Sequence, residues 1–94
     1  MLFNPGQIGA TPAALAALER ARVAPQALLT RHFLGDWGNI DPEDPGRNER
    51  FLRDGSRLLS VYDVTPDLTV WIITEAEDDN GNRSATTLLL PSEY

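Results

Sequence analysis

The feature that most constrains the fold is a change of sequence pattern at Arg57. From there on, β-branched, aromatic and aliphatic residues dominate three segments, RLLSVYDV (57–64), LTVWIITEA (68–76) and RSATTLLL (83–90). Thr65-Pro66-Asp67 predicts a turn between the first two, and Asp79-Asn80-Gly81-Asn82 predicts a hairpin between the second and third, since Asn-Gly is a strong hairpin signal. The C-terminal half is therefore predicted to be a three-stranded antiparallel β-meander.

The N-terminal half contains the residues that typically begin and end short helices. Thr11-Pro12, an N-cap followed by a proline, precedes AALAALERA and predicts a first helix from about Pro12 to Arg22. Pro25 cannot continue that helix but can begin a second one, PQALLTRHFL, which Gly35 would end. The apolar face of this second helix consists of Leu28, Leu29 and Phe33, with His32 beside them.

A third helix is predicted from about Pro45 to Asp54, ending at Gly55, with an aspartate before a proline as its N-cap. Phe51 and Leu52 are its expected apolar anchors. The sequence as a whole predicts one α+β domain, residues 1–94, with two or three N-terminal short helices followed by the meander. A three-stranded sheet has two edges, and pairing of edges between two copies would be a route to a homodimer.

Composition excludes several classes of site. The chain has no cysteine, which rules out disulfides, thiolate nucleophiles and zinc–thiolate centres. The first residues, MLFNPGQIGA, have neither a basic segment nor a continuous apolar run, so we expect no signal peptide and a cytoplasmic location. No apolar run approaches the roughly 18 residues of a membrane span.

Charge is distributed unevenly along the chain. The formal net charge is −6, from 14 acidic residues against eight arginines, and residues 58–94 alone carry seven acids and one arginine. Such an acidic half is a poor partner for a phosphate backbone and a suitable partner for a basic protein surface.

The stretch RHFLGDWGNIDPED (31–44) gathers the only histidine, a tryptophan and four carboxylates. No nucleophile-elbow motif or EF-hand pattern accompanies them, so we expect no catalytic residue, metal or cofactor. His32 is predicted to be a structural or capping residue whose imidazolium would interact with the end of the helix dipole. Trp37 is either a core residue beneath the helices or an exposed anchor for a partner.

Arginines recur at spacings of three and four along the third helix, at positions 47, 50, 53 and 57. Because Glu49 and Asp54 interleave with them, ion pairing on a solvated helix face is the simplest interpretation. The alternative is that this arginine stripe (Arg47, Arg50, Arg53, Arg57) binds an acidic partner or DNA.

Several segments, in order, resemble a known family. RHFLGDWG, GSRLLSVY and WIITEA followed by RSATTLLLPSEY are similar to small plasmid-related proteins encoded on plasmids, prophages and other mobile elements of proteobacteria, some of which are labelled type I restriction endonuclease M subunits. The resemblance runs from about Ile8 to Tyr94. Here EDDNGN lengthens a hairpin that is shorter in the family.

Asn4-Pro5-Gly6 is not an adenine methyltransferase motif, and 94 residues cannot hold a cofactor domain, so we expect no methyltransferase activity.

The resemblance and the absence of a catalytic motif favour a non-enzymatic accessory protein that binds a host protein, such as an anti-CRISPR or anti-restriction inhibitor acting through an acidic surface. The predicted partner-binding residues are Asp36, Trp37, Asp41, Glu43 and Asp44, and then Glu77, Asp78 and Asp79. Two alternatives stay open: a small metal-dependent nuclease or hydrolase using His32 and Asp36, and a DNA-binding regulatory or antitoxin-like module using the arginine stripe.

Overall fold

The computed structural model describes residues 1–40, 43–44 and 46–94. The elements, in chain order, are β1 (Gln7–Ala10), α1 (Pro12–Ala21), α2 (Pro25–Phe33), α3 (Arg47–Asp54), β2 (Leu58–Thr65), β3 (Leu68–Thr74), β4 (Ala85–Leu89) and a short 3-10 helix (Pro91–Glu93). The predicted α+β class is confirmed, and so are the antiparallel pairings of β2 with β3 and of β3 with β4.

The sheet has four strands rather than the three predicted, in the order β1-β4-β3-β2. β1 pairs in parallel with β4, with Ile8 opposite Thr86 and Ala10 opposite Leu88. Its sequence, QIGA, is short and mostly exposed, so it lacks the alternation that identifies a strand. The mixed sheet is the main correction to the predicted fold.

One edge of the sheet is partly covered by the link between α2 and α3. The Val61 amide donates to the Trp37 carbonyl over 3.0 Å, and the Asn39 amide donates to the Val61 carbonyl over 2.7 Å. Gly38 lies between them with φ of +68°, and a Cβ there would clash with the Val61 carbonyl, so the close approach requires glycine. The opposite edge of the sheet is β1.

The main core lies between one face of the sheet and the first two helices. Its fully or almost fully buried members are Ala14, Leu18, Leu28, Tyr62, Val70, Ile72 and Leu88. Three of them come from α1 and α2, and the other four come from β2, β3 and β4, where Val70 and Ile72 are alternate residues of one strand. α3 packs against β2 on the sheet.

Prolines begin α1 and α2, and glycines follow the ends of α2 and α3, whereas α1 ends at Arg22 in the left-handed conformation. The Thr11 hydroxyl caps α1 by accepting from the Ala14 amide, and Gly55 ends α3 in the left-handed conformation with φ of +82°. The N-cap of α3 is Gly46, which has no side-chain hydrogen bond, so Asp44 does not cap the helix as predicted. The Asp44 carboxylate pairs with Arg50 instead. The other candidate N-cap, Asp41, and the predicted first residue of the helix, Pro45, lie outside the described residues.

Within the described ranges, no helix has the length and apolar character needed to cross a membrane.

Candidate functional site

The corner between α2 and α3 carries the residues that the sequence singled out first. Asp36 is exposed and forms an ion pair with Arg31, whose Nε lies 2.6 Å from its Oδ2. The hydrogen bond from Arg31 lowers the pKa of the Asp36 carboxyl, and the Gly38 amide donates to the same group. The charge of Asp36 is therefore neutralised locally, which weakens its attraction for a basic partner.

Trp37 is a core residue, because its side chain is only 7% exposed. Its ring stacks on Phe3 with centroids 6.3 Å apart and meets the edge of the His32 ring at 5.4 Å. The indole Nε1 donates to the Glu49 carboxylate over 3.3 Å. Of the two roles left open for Trp37, the structure supports burial under the helices, and the ring is not available as an exposed anchor.

The remaining acids of this corner also have partners or lie outside the described residues. Asp44 forms an ion pair with Arg50, whose Nη2 lies 2.6 Å from Oδ2. Glu43 is exposed, although it too has a partner, and Asp41 is one of the residues that the structure does not describe. The corner therefore presents less free negative charge than its sequence suggests.

His32 lies at the centre of a buried polar chain that joins three strands. Its Nδ1 is 2.6 Å from the Ser60 hydroxyl on β2, and its Nε2 is 2.9 Å from the Thr74 hydroxyl on β3. Thr74 is in turn 2.7 Å from the Thr86 hydroxyl on β4, which donates to the Pro5 carbonyl over 2.8 Å. All four side chains are fully buried.

The direction of this chain fixes the tautomer of the imidazole. Since the Pro5 carbonyl can only accept, Thr86 uses its proton there and must accept from Thr74. Thr74 then has no proton left for His32, so the imidazole donates from Nε2–H and accepts from Ser60 at Nδ1. Both ring nitrogens are thus satisfied by a neutral histidine, and neither faces solvent.

Burial lowers the pKa of His32 to about 4, because an imidazolium at this position would lose its hydration. His32 is therefore structural, as predicted, but as a neutral buried side chain rather than as an imidazolium at the end of the helix dipole. Tertiary burial outweighs the local dipole here. A general base or metal ligand would need access to one of the two nitrogens, and His32 gives none.

This depressed pKa predicts a specific pH dependence of stability. The unfolded chain binds a proton on His32 below about pH 6.5, whereas the folded chain does so only below about 4. The free energy of unfolding should therefore fall as the pH drops from about 6.5 to 4, by at most about 3 kcal/mol. Urea unfolding at a series of pH values would measure it.

The control for this prediction is His32→Gln, which keeps a polar side chain without a titratable group. Its stability, although lower overall, should change little between about pH 6.5 and 4.5, the upper part of the His32 window. Below that range the carboxyl groups of Asp36 and Asp44, whose pKa values are also lowered, contribute in both proteins. Equal slopes in the wild type and the variant would contradict the assignment.

The second predicted set of acids lies on the β3–β4 hairpin, and here the charge is exposed. All three side chains are exposed, with Glu77 at the base of the hairpin loop and Asp78 and Asp79 closer to its tip. Asp78 accepts from the amides of Asn80 and Asn82, both at 2.9 Å, so its carboxylate holds the loop together. No ion pair joins any carboxylate of residues 75–79 to a described basic group. The hairpin is therefore an ordered acidic projection.

Arg83 braces this hairpin, and nothing in the sequence pointed to it. The side chain is only 5% exposed, and its guanidinium donates to three backbone carbonyls, at 2.7 Å to Ser56, 2.9 Å to Glu75 and 3.3 Å to Phe51. In a segment with seven acids, an arginine is expected to form an ion pair. Arg83 can donate to these three carbonyls only because the end of α3 lies beside the hairpin. No local sequence pattern predicts that placement.

The four arginines of the stripe, three on α3 and Arg57 just after it, have different surroundings. Arg50 pairs with Asp44, the guanidinium of Arg47 lies 5.3 Å from the Phe51 ring centroid, and that of Arg57 lies 5.2 Å from the ring centroid of Tyr94. Arg53 is exposed. The described contacts therefore separate Arg50, which is ion-paired, from Arg47 and Arg57, which lie against aromatic rings.

Among the described residues no group of three or more His, Asp or Glu side chains is placed to hold a metal ion. Comparisons with protein-family models, curated proteins and solved structures find no match. The resemblance to plasmid-related proteins therefore stays a prediction, and function must be inferred from the geometry.

Proposed function

We propose that this chain is a non-enzymatic accessory protein that binds a host protein through its acidic hairpin. The host protein is proposed to be a subunit of a CRISPR or restriction complex. The observation that carries the proposal is the hairpin itself, which presents Glu77, Asp78 and Asp79 on an ordered loop without neutralising cations among the described residues. Defence complexes bind nucleic acid through basic surfaces, and such a projection could occupy one of them.

Rigidity strengthens this interpretation. The Asp78 amide donates to the Asn82 carbonyl over 2.9 Å, and Glu77 and Arg83 form a β-bridge at the base of the tip. The Glu77 amide also donates to the Gly55 carbonyl, which ties the hairpin to the end of α3. A loop that is already ordered loses less entropy on binding than a flexible acidic tail would.

The alternatives receive less support from the described residues. A metal-dependent hydrolase built on His32 would need this fully buried side chain to leave its hydrogen bonds with Ser60 and Thr74. A DNA-binding module would need the arginine stripe to act together, and its members are separated by ion pairing and by stacking on aromatic rings.

The test neutralises the hairpin without disturbing it. The double variant Glu77→Gln/Asp79→Asn removes two charges and keeps Asp78, whose carboxylate holds the turn. In a host with an active CRISPR or restriction system, expression of the wild type should raise the survival of a targeted plasmid, and affinity capture should recover a defence subunit. The double variant should weaken both effects at least about tenfold, the effect of about 1.4 kcal/mol.

The matched control is Glu19→Gln/Asp67→Asn, which removes the same charge from exposed positions away from the hairpin. This variant should behave like the wild type, and raising the salt concentration should weaken capture of the wild type. The proposal fails if the wild type leaves defence unaffected and captures no defence subunit. It also fails if the two double variants lose activity equally.

A further inference from the structure

A second surface, outside the acidic hairpin, has the properties of a small binding site. Its walls come from α3, from β2 and β3 on the sheet face opposite the main core, and from the segment after β4. They enclose a pocket of about 150 Å³. The lining residues are Arg47, Arg57, Leu59, Trp71, Ile73 and Tyr94.

The floor of this pocket is apolar and aromatic. Leu59 and Ile73 are direct partners across β2 and β3, so their side chains lie side by side on one face of the sheet. The rings of Trp71 and Tyr94 are in contact, with centroids 5.7 Å apart and planes tilted by 59°. Tyr94 is 65% exposed although it is a large aromatic residue, so much of its ring is available to a ligand.

Two guanidinium groups stand at the rim, and the charge of one of them, Arg47, also acts on the nearby carboxylate of Asp44. Neither the Arg47 nor the Arg57 guanidinium forms a hydrogen bond or an ion pair with a described residue. Instead, they lie against the rings of Phe51 and Tyr94 respectively. Such a contact positions a guanidinium through its charge and its flat face, and leaves N–H donors for a bidentate acceptor. Two such groups converge on a single cavity.

We propose that this pocket binds a small aryl carboxylate, a single aromatic ring that carries one carboxylate group. The ring would pack on Leu59, Ile73 and Trp71, and the carboxylate would accept hydrogen bonds from the guanidinium groups of Arg47 and Arg57. This site goes beyond the proposed function and does not depend on it, because no residue of the acidic hairpin lines the pocket.

Size and charge select this ligand class. A pocket of about 150 Å³ is large enough for one benzene ring. The apolar floor favours a ring over a free inorganic anion, which would have to lose its hydration next to Leu59 and Ile73. Since the chain has a net charge of −6, a monoanion meets less long-range repulsion than a phosphate dianion.

The test is a titration of the labelled protein followed by two-dimensional amide NMR. Benzoate should shift the indole signal of Trp71 saturably while that of the buried Trp37 stays in place, with a Kd on the order of 1 mM. Arg47→Gln and Arg57→Gln should each weaken binding about tenfold, the value of one charge-assisted hydrogen bond. Arg53→Gln, an exposed arginine of the same helix outside the pocket, should bind as the wild type does.

Two further ligands separate the parts of the proposal. Benzamide has the same ring without the charge and should bind at least about tenfold more weakly. Inorganic phosphate has charge without a ring and should leave the Trp71 signal unchanged. The proposal is overturned if benzoate gives no saturable shift, or if benzamide binds as well as benzoate. It is also overturned if phosphate shifts the same signals to the same extent, or if Arg53→Gln weakens binding as much as Arg57→Gln does.

Discussion

Replacing His32 with alanine should lower the free energy of unfolding by about 3–5 kcal/mol, the range for removing a large buried side chain. The imidazole is fully buried and fills space between α2 and the sheet, so its loss leaves a cavity. It also leaves the hydroxyls of Ser60 and Thr74 without their partner in a place that solvent does not reach. Urea unfolding at pH 7.5, where His32 is neutral in both states, would measure the change.

The control for a substitution on the same helix is Thr30→Ala. Thr30 is exposed, so this variant should stay within about 0.5 kcal/mol of the wild type. Thr86→Val, which removes a hydroxyl further along the same polar chain, should be destabilising by about 1–2 kcal/mol. It should also be non-additive with His32→Ala, because both belong to one network. A loss below about 1 kcal/mol for His32→Ala would contradict the central role of the histidine.

The local parts of the fold could be predicted because single residues determine them. Pro12 and Pro25 begin helices, Gly55 ends one, and Asn80-Gly81 turns β3 into β4. β1 could not be predicted in this way, since it is formed by parallel pairing with a strand nearly 80 residues away. Its four residues carry no local signal of their own, and only the assembled β4 gives them a partner.

The features of the candidate site also divide into those set by local sequence, which could be predicted, and those set by long-range contacts, which could not. The exposure of the hairpin acids follows from turn composition, which is local. The sequence left the fate of Trp37 open, and its burial depends on Phe3 and His32 reaching the same place from distant segments. The pocket could not be foreseen at all, because Arg47, Trp71 and Tyr94 belong to three different elements. Long-range placement, more than propensity, decides which of the rare residues meet.

Arg83 provides the second large expected effect. Arg83→Met keeps an unbranched side chain and removes the guanidinium from three part-buried carbonyl contacts. The carbonyls of Ser56, Glu75 and Phe51 would then lose a charged donor, and the variant should be less stable by about 3 kcal/mol. Arg53→Met on the exposed face of α3 is the control and should change stability by less than about 0.5 kcal/mol.

Hydrogen exchange would show where the effect of Arg83→Met acts. Arg83 joins the end of α3 to the base of the hairpin, so the amide of Glu77, which donates to the Gly55 carbonyl, should exchange faster in the variant. Arg83→Lys keeps the charge but cannot direct two nitrogens at three carbonyls, so its stability should lie between those of the wild type and Arg83→Met. If Arg83→Met is as stable as the wild type, the hydrogen bonds of the Arg83 guanidinium do not fix the hairpin against α3. The rigidity that supports the proposed acidic contact would then come from the turn around Asp78 alone.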